Sequence, residues 1–363
     1  MPISGRLLWA DAVKGMAIVL VVFGHVLRGD REAGLPHSEQ WFNTLDSAVY
    51  LVHIPMFFVV SGYFFERSVL RDGLLGSLKK RAIVLLYPLL VWSYITATFR
   101  LAAGSVTNRG AITPWEVLTY PFVLSDVYWF LWALFVIQTV VSFVVPFAKR
   151  RPATYLTLAA VAFGLQFIAP PSVYISSALH HLPNFIAGIL LARWLGEKQL
   201  RLFMAFPALL IFALCEFLNI SFNFGYADLT QKTVLELLAA VSLIVAIQCI
   251  YRSTARGQMA WLGALSMPIF VAHVIPAAAA RIVLMKLGIE FSAVHLVIET
   301  AVGVLVPILL YVALSRMNMV KIAGLGPDLF RTGQRLVPEQ AAFADVEKSE
   351  NQTSTLRVRH PAG

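Results

Sequence analysis

Residues 11–30 read DAVKGMAIVLVVFGHVLRGD. The apolar run that begins near Asp11 continues for about 18 residues, which is close to the ~20 residues of a membrane-spanning helix and longer than the about 7–15 residues of a signal-peptide core. No small-residue cleavage site follows it. The stretch therefore predicts a membrane helix, yet this helix carries an acid, a base and an imidazole: Asp11, Lys14 and His25.

The composition places the whole chain in the same class of protein. Of its 363 residues, 58% are hydrophobic and 13% are charged, and the mean hydropathy is +0.74, whereas a soluble chain has about 25% charged residues. We predict an all-α polytopic protein embedded in the lipid bilayer. The net charge of +9 is assigned to cytoplasmic loops and not to nucleic-acid binding. Cys215 and Cys249 lie in apolar runs, without the spacing of a disulfide framework or a metal site.

Hydrophobic runs of roughly membrane length recur along the chain. They predict ten helices, at 9–28, 45–65, 82–103, 122–147, 153–170, 178–195, 202–221, 232–251, 259–287 and 292–316. Prolines 268 and 276 are expected to kink or split the ninth. Lys and Arg are about twice as frequent in the loops assigned to the inside as in the others, so both termini are predicted to be cytoplasmic.

The composition changes after Arg316, where the sequence becomes polar and poor in large apolar residues. We divide the chain into a transmembrane domain at 1–320 and a disordered cytoplasmic tail at 321–363. No repeat, P-loop or dinucleotide fingerprint is found in the sequence.

The polar residues of the first run share one helix face. Lys14 and His25 are eleven positions apart, close to three whole turns, with a rise of about 16 Å between them. Asp11 is one turn from Lys14 and is its expected partner. Ionisable groups cost about 2.5–3.5 kcal/mol or more in lipid, so this face should point into the bundle. Two simpler interpretations stay open: Lys14 extends to headgroups, and His25 hydrogen-bonds a neighbouring carbonyl.

The first run also carries a recognisable pattern, Asp-x-x-[Arg/Lys]-Gly…Gly-His, formed by Asp11, Lys14, Gly15, Gly24 and His25. Four further segments follow it: HIPMFFVVSGYFF (53–65), KKRAIVLLYPLLVW (79–92), YWFLWALF (128–135) and LSMPIFVAH (265–273). Over residues 6–316 the chain resembles the acyltransferase-3 family of integral membrane acyltransferases. It departs from the common family pattern in having Lys14 for Arg, and Val84 for the second Arg of an Arg-x-x-Arg pair that Arg81 begins.

The resemblance implies an acyl-CoA donor, usually acetyl-CoA, and a carbohydrate hydroxyl outside the cytoplasm as acceptor. Lys14, Lys80 and Arg81 are then the candidates for binding the CoA phosphates, with the pantetheine arm running along the first helix toward His25. His25 is the candidate catalytic residue, either as a general base or as the first acceptor of the acyl group. No metal and no tightly bound cofactor are expected.

Other polar residues within the helices are candidates for lining the site: Asp11, His53, Ser61, Tyr63, Asp126 and His273. For His53 the alternative is a structural hydrogen bond, and for Asp126 a place at the membrane interface. His180 and His181 are assigned to the outer interface. Three intramembrane acids, Glu216, Glu236 and Glu299, are expected to satisfy each other or Arg281.

The sequence therefore predicts a membrane O-acyltransferase, most simply an O-acetyltransferase acting on a surface carbohydrate. Proteins of envelope polysaccharide synthesis are its candidate partners. The rival prediction is a secondary transporter or a glycan or lipid flippase, because polar residues in mid-membrane and broken helices suit these proteins too. A structural subunit of an envelope synthase is a third alternative.

Overall fold

The computed structural model describes residues 8–104, 110, 112–123, 127–148, 151–168, 172–195, 200–222, 229–253 and 257–330. Within these residues the regular structure is entirely helical, which confirms the all-α class. The helices are α1 Leu8–Glu32, α2 Glu39–Arg81, α3 Tyr87–Ala103, α4 Pro114–Val123, α5 Trp129–Ala148, α6 Ala153–Leu165, α7 Val173–Leu195, α8 Ala205–Phe222, α9 Leu229–Ser253, α10 Gln258–Ala264, α11 Ser266–Ala272, α12 Val274–Lys286 and α13 Ser292–Arg316. A π-turn at Ala82–Leu86 joins α2 to α3.

Several of these helices are long and apolar enough to cross a bilayer, so the protein is a multi-pass membrane protein. In the described part of the chain they number seven, or eight if α11 and α12, bent by 53°, count as one broken span. Two differences from the predicted ten stand out. α6 has 13 residues, about 20 Å at about 1.5 Å per residue, and residues 39–103 form one helical stretch of 65 residues. The number ten and the cytoplasmic termini stay predictions.

A glycine interrupts the long helix α2. Gly73 has φ 69° and ψ 171°, and no atom lies near the position of a Cβ. This backbone conformation is open to glycine and strained for other residues. Residues 74–81, which include Lys80 and Arg81, therefore leave the direction of the preceding helix.

α1 and α2 form the centre of the bundle. α1 packs mainly against α2, α9, α10 and α13, and α2 mainly against α1, α7, α9 and α5. Glycines allow the closest approaches: a Cβ on Gly15 or Gly263 would overlap a backbone carbonyl between α1 and α10, and one on Gly62 or Gly188 would do so between α2 and α7. Small residues at such crossings are typical of helix packing in membranes.

The segment after α13 is docked on the bundle and is not part of a polar tail. Tyr87 donates a hydrogen bond to the Ile322 carbonyl at 2.5 Å, and the Trp92 indole donates one to the Ala323 carbonyl at 2.9 Å. Leu325 is fully buried. The apolar residues of this segment cover the start of α3, and the domain boundary at 320 stays a prediction. The rest of the predicted tail, 331–363, lies outside the described residues.

Candidate active site

The inner end of α1, as predicted from the loop charges, carries an ion pair within the helix. Nζ of Lys14 lies 2.7 Å from Oδ1 of Asp11, as the i,i+3 spacing allows. The Asp11 carboxylate is buried, whereas 30% of the Lys14 side chain is exposed. The predicted pairing is confirmed, and part of the Lys14 side chain stays exposed at the surface of the protein.

The other end of α1 places two imidazoles together. The ring of His25 lies 5.3 Å from the ring of His273, centroid to centroid, with an angle of 40° between the planes. His25 is half-buried and His273 is buried. Two residues that are 248 positions apart in the sequence, both predicted to line the site, are thus in contact.

The bend between α11 and α12 fixes the orientation of His273. A break in a helix leaves carbonyl oxygens without their helical partners. Nδ1 of His273 lies 2.7 Å from the Phe270 carbonyl, to which it donates, and the Tyr128 hydroxyl donates to the Val271 carbonyl at 3.1 Å. Because Nδ1 carries the proton, the lone pair of a neutral His273 ring is on Nε2.

His53 lies in the layer of α2 that faces this end of α1. Its Nδ1 donates to the Val49 carbonyl at 2.5 Å, and its ring stands edge-on to Tyr50 at 4.5 Å. Tyr50 lies against Gly24, the residue before His25. The structural hydrogen bond considered for His53 is therefore present, and the residue still belongs to the surroundings of His25.

Two further lining candidates lie elsewhere on α2. Tyr63 is buried with its ring edge-on to Trp9 at 5.0 Å, which places it at the Lys14 end of α1. Ser61, half-buried, is two residues before it. The structure does not bring either residue to His25, because α1 and α2 run antiparallel and these positions pair with the start of α1. Asp126 lies outside the described residues.

The remaining cations predicted to bind phosphate differ in accessibility. Lys80 is exposed and lies 3.3 Å from Oδ2 of Asp72. Arg81 is buried over the Phe65 ring, 4.4 Å from its centroid, and donates to the Ser77 carbonyl at 2.9 Å. Lys80 can therefore meet a phosphate directly, whereas Arg81 is held inside the protein in this conformation.

The face of α1 between Lys14 and His25 is closed. Ile18 and Val21 lie on that face and are both 0% exposed. A pantetheine arm on the predicted path would run along α1 for about 16 Å, the rise from Lys14 to His25. Over that length the helices packed on α1 have to move away from it.

A buried charge network holds the C-terminal half of α1, next to His25. The Arg281 guanidinium on α12 lies 2.8 Å from Asp30 on α1 and 2.8 Å from Glu299 on α13. Nδ1 of His295 lies 2.8 Å from the same Glu299. The predicted pairing of Glu299 with Arg281 is confirmed, but Asp30 and His295 were missed. Their location inside apolar runs was the available signal for a buried role. Their spacing along the chain could not show which residues they contact.

The two adjacent histidines of α7 pack against other helices, and their predicted place at the outer interface stays a prediction. His181 is buried, with its ring stacked between Phe58 at 4.6 Å and Trp129 at 5.7 Å. Nε2 of His180 lies 2.7 Å from Glu236 of α9. Helix packing turns this face of α7 toward α2 and α9.

Comparisons with known proteins agree with the pattern on α1. The acyltransferase-3 family model, described as an acyltransferase domain, matches residues 7–316. The chain is 29% identical over 205 residues to the nodulation protein NolL of Sinorhizobium fredii, covering 56% of this chain and 53% of that protein. It is 27% identical over 197 residues to NolL of Mesorhizobium japonicum, covering 54% and 50%.

The chain thus spans about half the length of the curated relatives it matches. No solved structure matches it. The family match includes α1 with its Asp11, Lys14 and His25, the other central helix α2, and the broken α11–α12 pair that carries His273. Since it extends over nearly all of the helical part, the chain belongs to the acyltransferase-3 family of membrane-bound acyltransferase domains.

Proposed function

We propose that the protein is an O-acyltransferase of the inner membrane. It transfers an acyl group, most simply acetyl, from acyl-CoA on the cytoplasmic side to a hydroxyl of an extracytoplasmic or surface carbohydrate. The observation that carries the proposal is the placement on one helix of a partly exposed cation, Lys14, and a paired imidazole, His25, at opposite ends of the same face.

His25 performs the chemistry in this proposal. Its imidazole removes the proton of the acceptor hydroxyl as the oxygen attacks the thioester carbonyl. The carbon–sulfur bond breaks, and the CoA thiolate takes the proton back from the imidazolium, so the products are the ester and free CoA. The neighbouring His273 is held by the hydrogen bond from its Nδ1 to the Phe270 carbonyl, and in this proposal its ring positions the ring of His25.

An acyl-histidine intermediate is the second route open to the same pair. Incubating the protein with acetyl-CoA and no acceptor separates the two: a covalent acetyl on His25, seen by mass spectrometry of rapidly quenched protein, indicates the two-step route. General-base catalysis leaves the protein unmodified.

Positive charge binds the acyl-CoA donor in this proposal. Lys14 and the exposed Lys80 contact the CoA phosphates, and the buried Arg81 joins them when the inner end opens. An ammonium group binds phosphate as a point charge without the fork geometry of arginine. Proteins of envelope polysaccharide synthesis are the proposed partners that deliver the acceptor.

A transporter or flippase is the competing function, and the 53° break between α11 and α12 favours it. A thiol-release assay with purified protein, acetyl-CoA and a carbohydrate acceptor decides between the two. Turnover that depends on acceptor supports the acyltransferase; glycan translocation without CoA release supports the rival. Mass spectrometry of surface glycans from a deletion strain then identifies the acyl group and the modified sugar.

The membrane orientation is tested separately. Reporter fusions after Leu75, Gly110, Arg150 and Tyr226 should read inside, outside, inside and outside. This follows from the excess of Lys and Arg in the loops assigned to the cytoplasm. The reverse pattern places Lys14 on the wrong side for cytoplasmic CoA and overturns the donor assignment.

A further inference from the structure

Three metal-ligating side chains meet between α7 and α9, outside the site around α1. They are His180 and His181 of α7 and Glu236 of α9, and one ligand atom from each lies within 4.8 Å of the other two. We propose that they bind one divalent transition-metal cation, with zinc as the best match, and that the ion joins α7 to α9. Nothing in the proposed acyl transfer uses these residues.

His181 provides the first independent sign of a ligand. Its side chain is 7% exposed, and its buried Nδ1 makes no hydrogen bond within the described part of the chain. Stacking between Phe58 (interplanar angle 11°) and Trp129 (21°) fixes the ring plane. A buried nitrogen without a partner is unfavourable, and a cation would use its lone pair.

His180 shows the arrangement of a metal-ligating imidazole. Its Nε2 faces Oε2 of Glu236 at 2.7 Å, and its Nδ1 lies 3.0 Å from Oε1 of Gln166. Histidines that bind metals are commonly held through the second nitrogen by an oxygen of the surrounding protein. In this conformation Nε2 and the carboxylate contact each other directly; a metal ion bound to both would take the place of this contact, with the two ligand atoms moving slightly apart.

The ligand types favour a divalent transition metal such as zinc or iron(II) over magnesium or calcium. Two imidazoles and one carboxylate form the set found in zinc sites that keep one open coordination position. Asn184, three residues after His181, is fully buried, and both of its amide polar atoms lack partners in the described part of the chain. At i,i+3 spacing its Cβ is about 5–6 Å from that of His181, so its oxygen is a candidate for that position.

The other cluster of potential ligands gives a useful contrast. Asp30, His295 and Glu299 also bring their ligand atoms within 4.8 Å, but the Arg281 guanidinium lies 2.8 Å from both carboxylates. That cluster already contains its cation. Near Glu236 the corresponding positive charge is Lys232. Its Nζ lies 3.9 Å from Oε1 of Glu236, whereas Oε2 of Glu236 contacts His180.

Metal binding is measured on the full chain in detergent, after chelator treatment and titration with zinc or cobalt. We expect one equivalent of zinc by elemental analysis. With cobalt we expect visible absorption bands typical of a low-coordinate site with nitrogen and oxygen ligands. Wild-type protein that keeps neither metal after free ions are removed overturns the proposal, and this result needs no variant to fold.

Variants locate the ion. His180→Ala, His181→Ala and Glu236→Gln should each weaken zinc binding by at least about 100-fold, beyond the roughly 10- to 100-fold effect of changing a residue around the ligands. Lys232→Gln should tighten binding on the order of tenfold, because a competing positive charge is removed. His37→Gln, a histidine away from the cluster, serves as control.

Each variant is compared with wild type for monodispersity and helical content before titration. Unchanged zinc affinity in the three ligand variants, or weaker binding in Lys232→Gln, contradicts the assignment. The readout is metal content, so the result does not depend on whether the protein transfers acyl groups.

Discussion

The two ends of α1 hold their polar groups in different ways. At one end Lys14 pairs with Asp11 of the same helix and stays 30% exposed. At the other end, His25 faces His273, which comes from a distant part of the sequence. Asp30, five residues after His25, is held by Arg281. The first end can exchange a charged ligand without disturbing the packing, whereas the second is preorganised. This difference supports the proposed division of roles, in which the Lys14 end binds the donor and the His25 end performs the chemistry.

A buried apolar segment of α1 lies between the two ends. Ile18 and Val21 are fully buried on the face that joins the two ends. Acyl transfer along this face thus requires an opening motion, and variants at the two ends should change different kinetic quantities.

The largest effect is expected at His25. His25→Ala and His25→Gln should lower turnover by about 10²–10⁴-fold, because neither side chain can take up a proton near neutral pH. Acyl-CoA affinity, measured by calorimetry, should stay near that of wild type. The matched control is His37→Gln. A folded His25→Ala protein with near-normal turnover would reduce the imidazole to a structural hydrogen bonder.

The next largest effect concerns the stability of the folded protein, through the charge network at the His25 end of α1. Arg281→Met leaves two buried carboxylates without their cation and should destabilise the folded protein by about 3–5 kcal/mol, seen as a lower unfolding temperature in detergent. The triple variant Arg281→Met, Asp30→Asn, Glu299→Gln should recover much of this loss, because it removes the uncompensated charges. Equal instability of the single and triple variants would show that packing, not charge balance, holds this end of α1.

A smaller and different effect is expected at Lys14. Lys14→Ala should raise the KM for acyl-CoA by about 10- to 100-fold, the equivalent of a hydrogen bond to a charged group, with kcat largely kept. Lys14→Arg keeps the charge and should retain most activity. A loss confined to kcat would place Lys14 in the chemistry and break the separation between the two ends.

The smallest effect is expected from the end of the chain. A stop after Phe330 should leave activity intact, whereas a stop after Asn318 removes the segment docked on Tyr87 and Trp92 and should lower stability. Thermal unfolding and thiol release are measured on both truncations. Loss of activity in the longer one, with normal membrane insertion, would reveal a role for residues 331–363.

The sequence by itself determined the all-α class, the membrane class, and the shared face of Lys14 and His25, because these follow from hydrophobic run length and from 3.6 residues per turn. It also determined the Asp11–Lys14 pair, which lies within one helix. The broken helix at His273 was likewise predictable, since proline interrupts helical hydrogen bonding.

Only the tertiary structure decided which helices meet. The contact of His25 with His273, the joining of Asp30, Arg281 and Glu299, and the burial of His181 depend on crossings between segments far apart in sequence. Periodicity fixes which face a side chain occupies, but the partner of that face is set by side-chain volume and by glycine contacts such as Gly62 with Gly188. The pairing of these faces is therefore a property of the packed bundle.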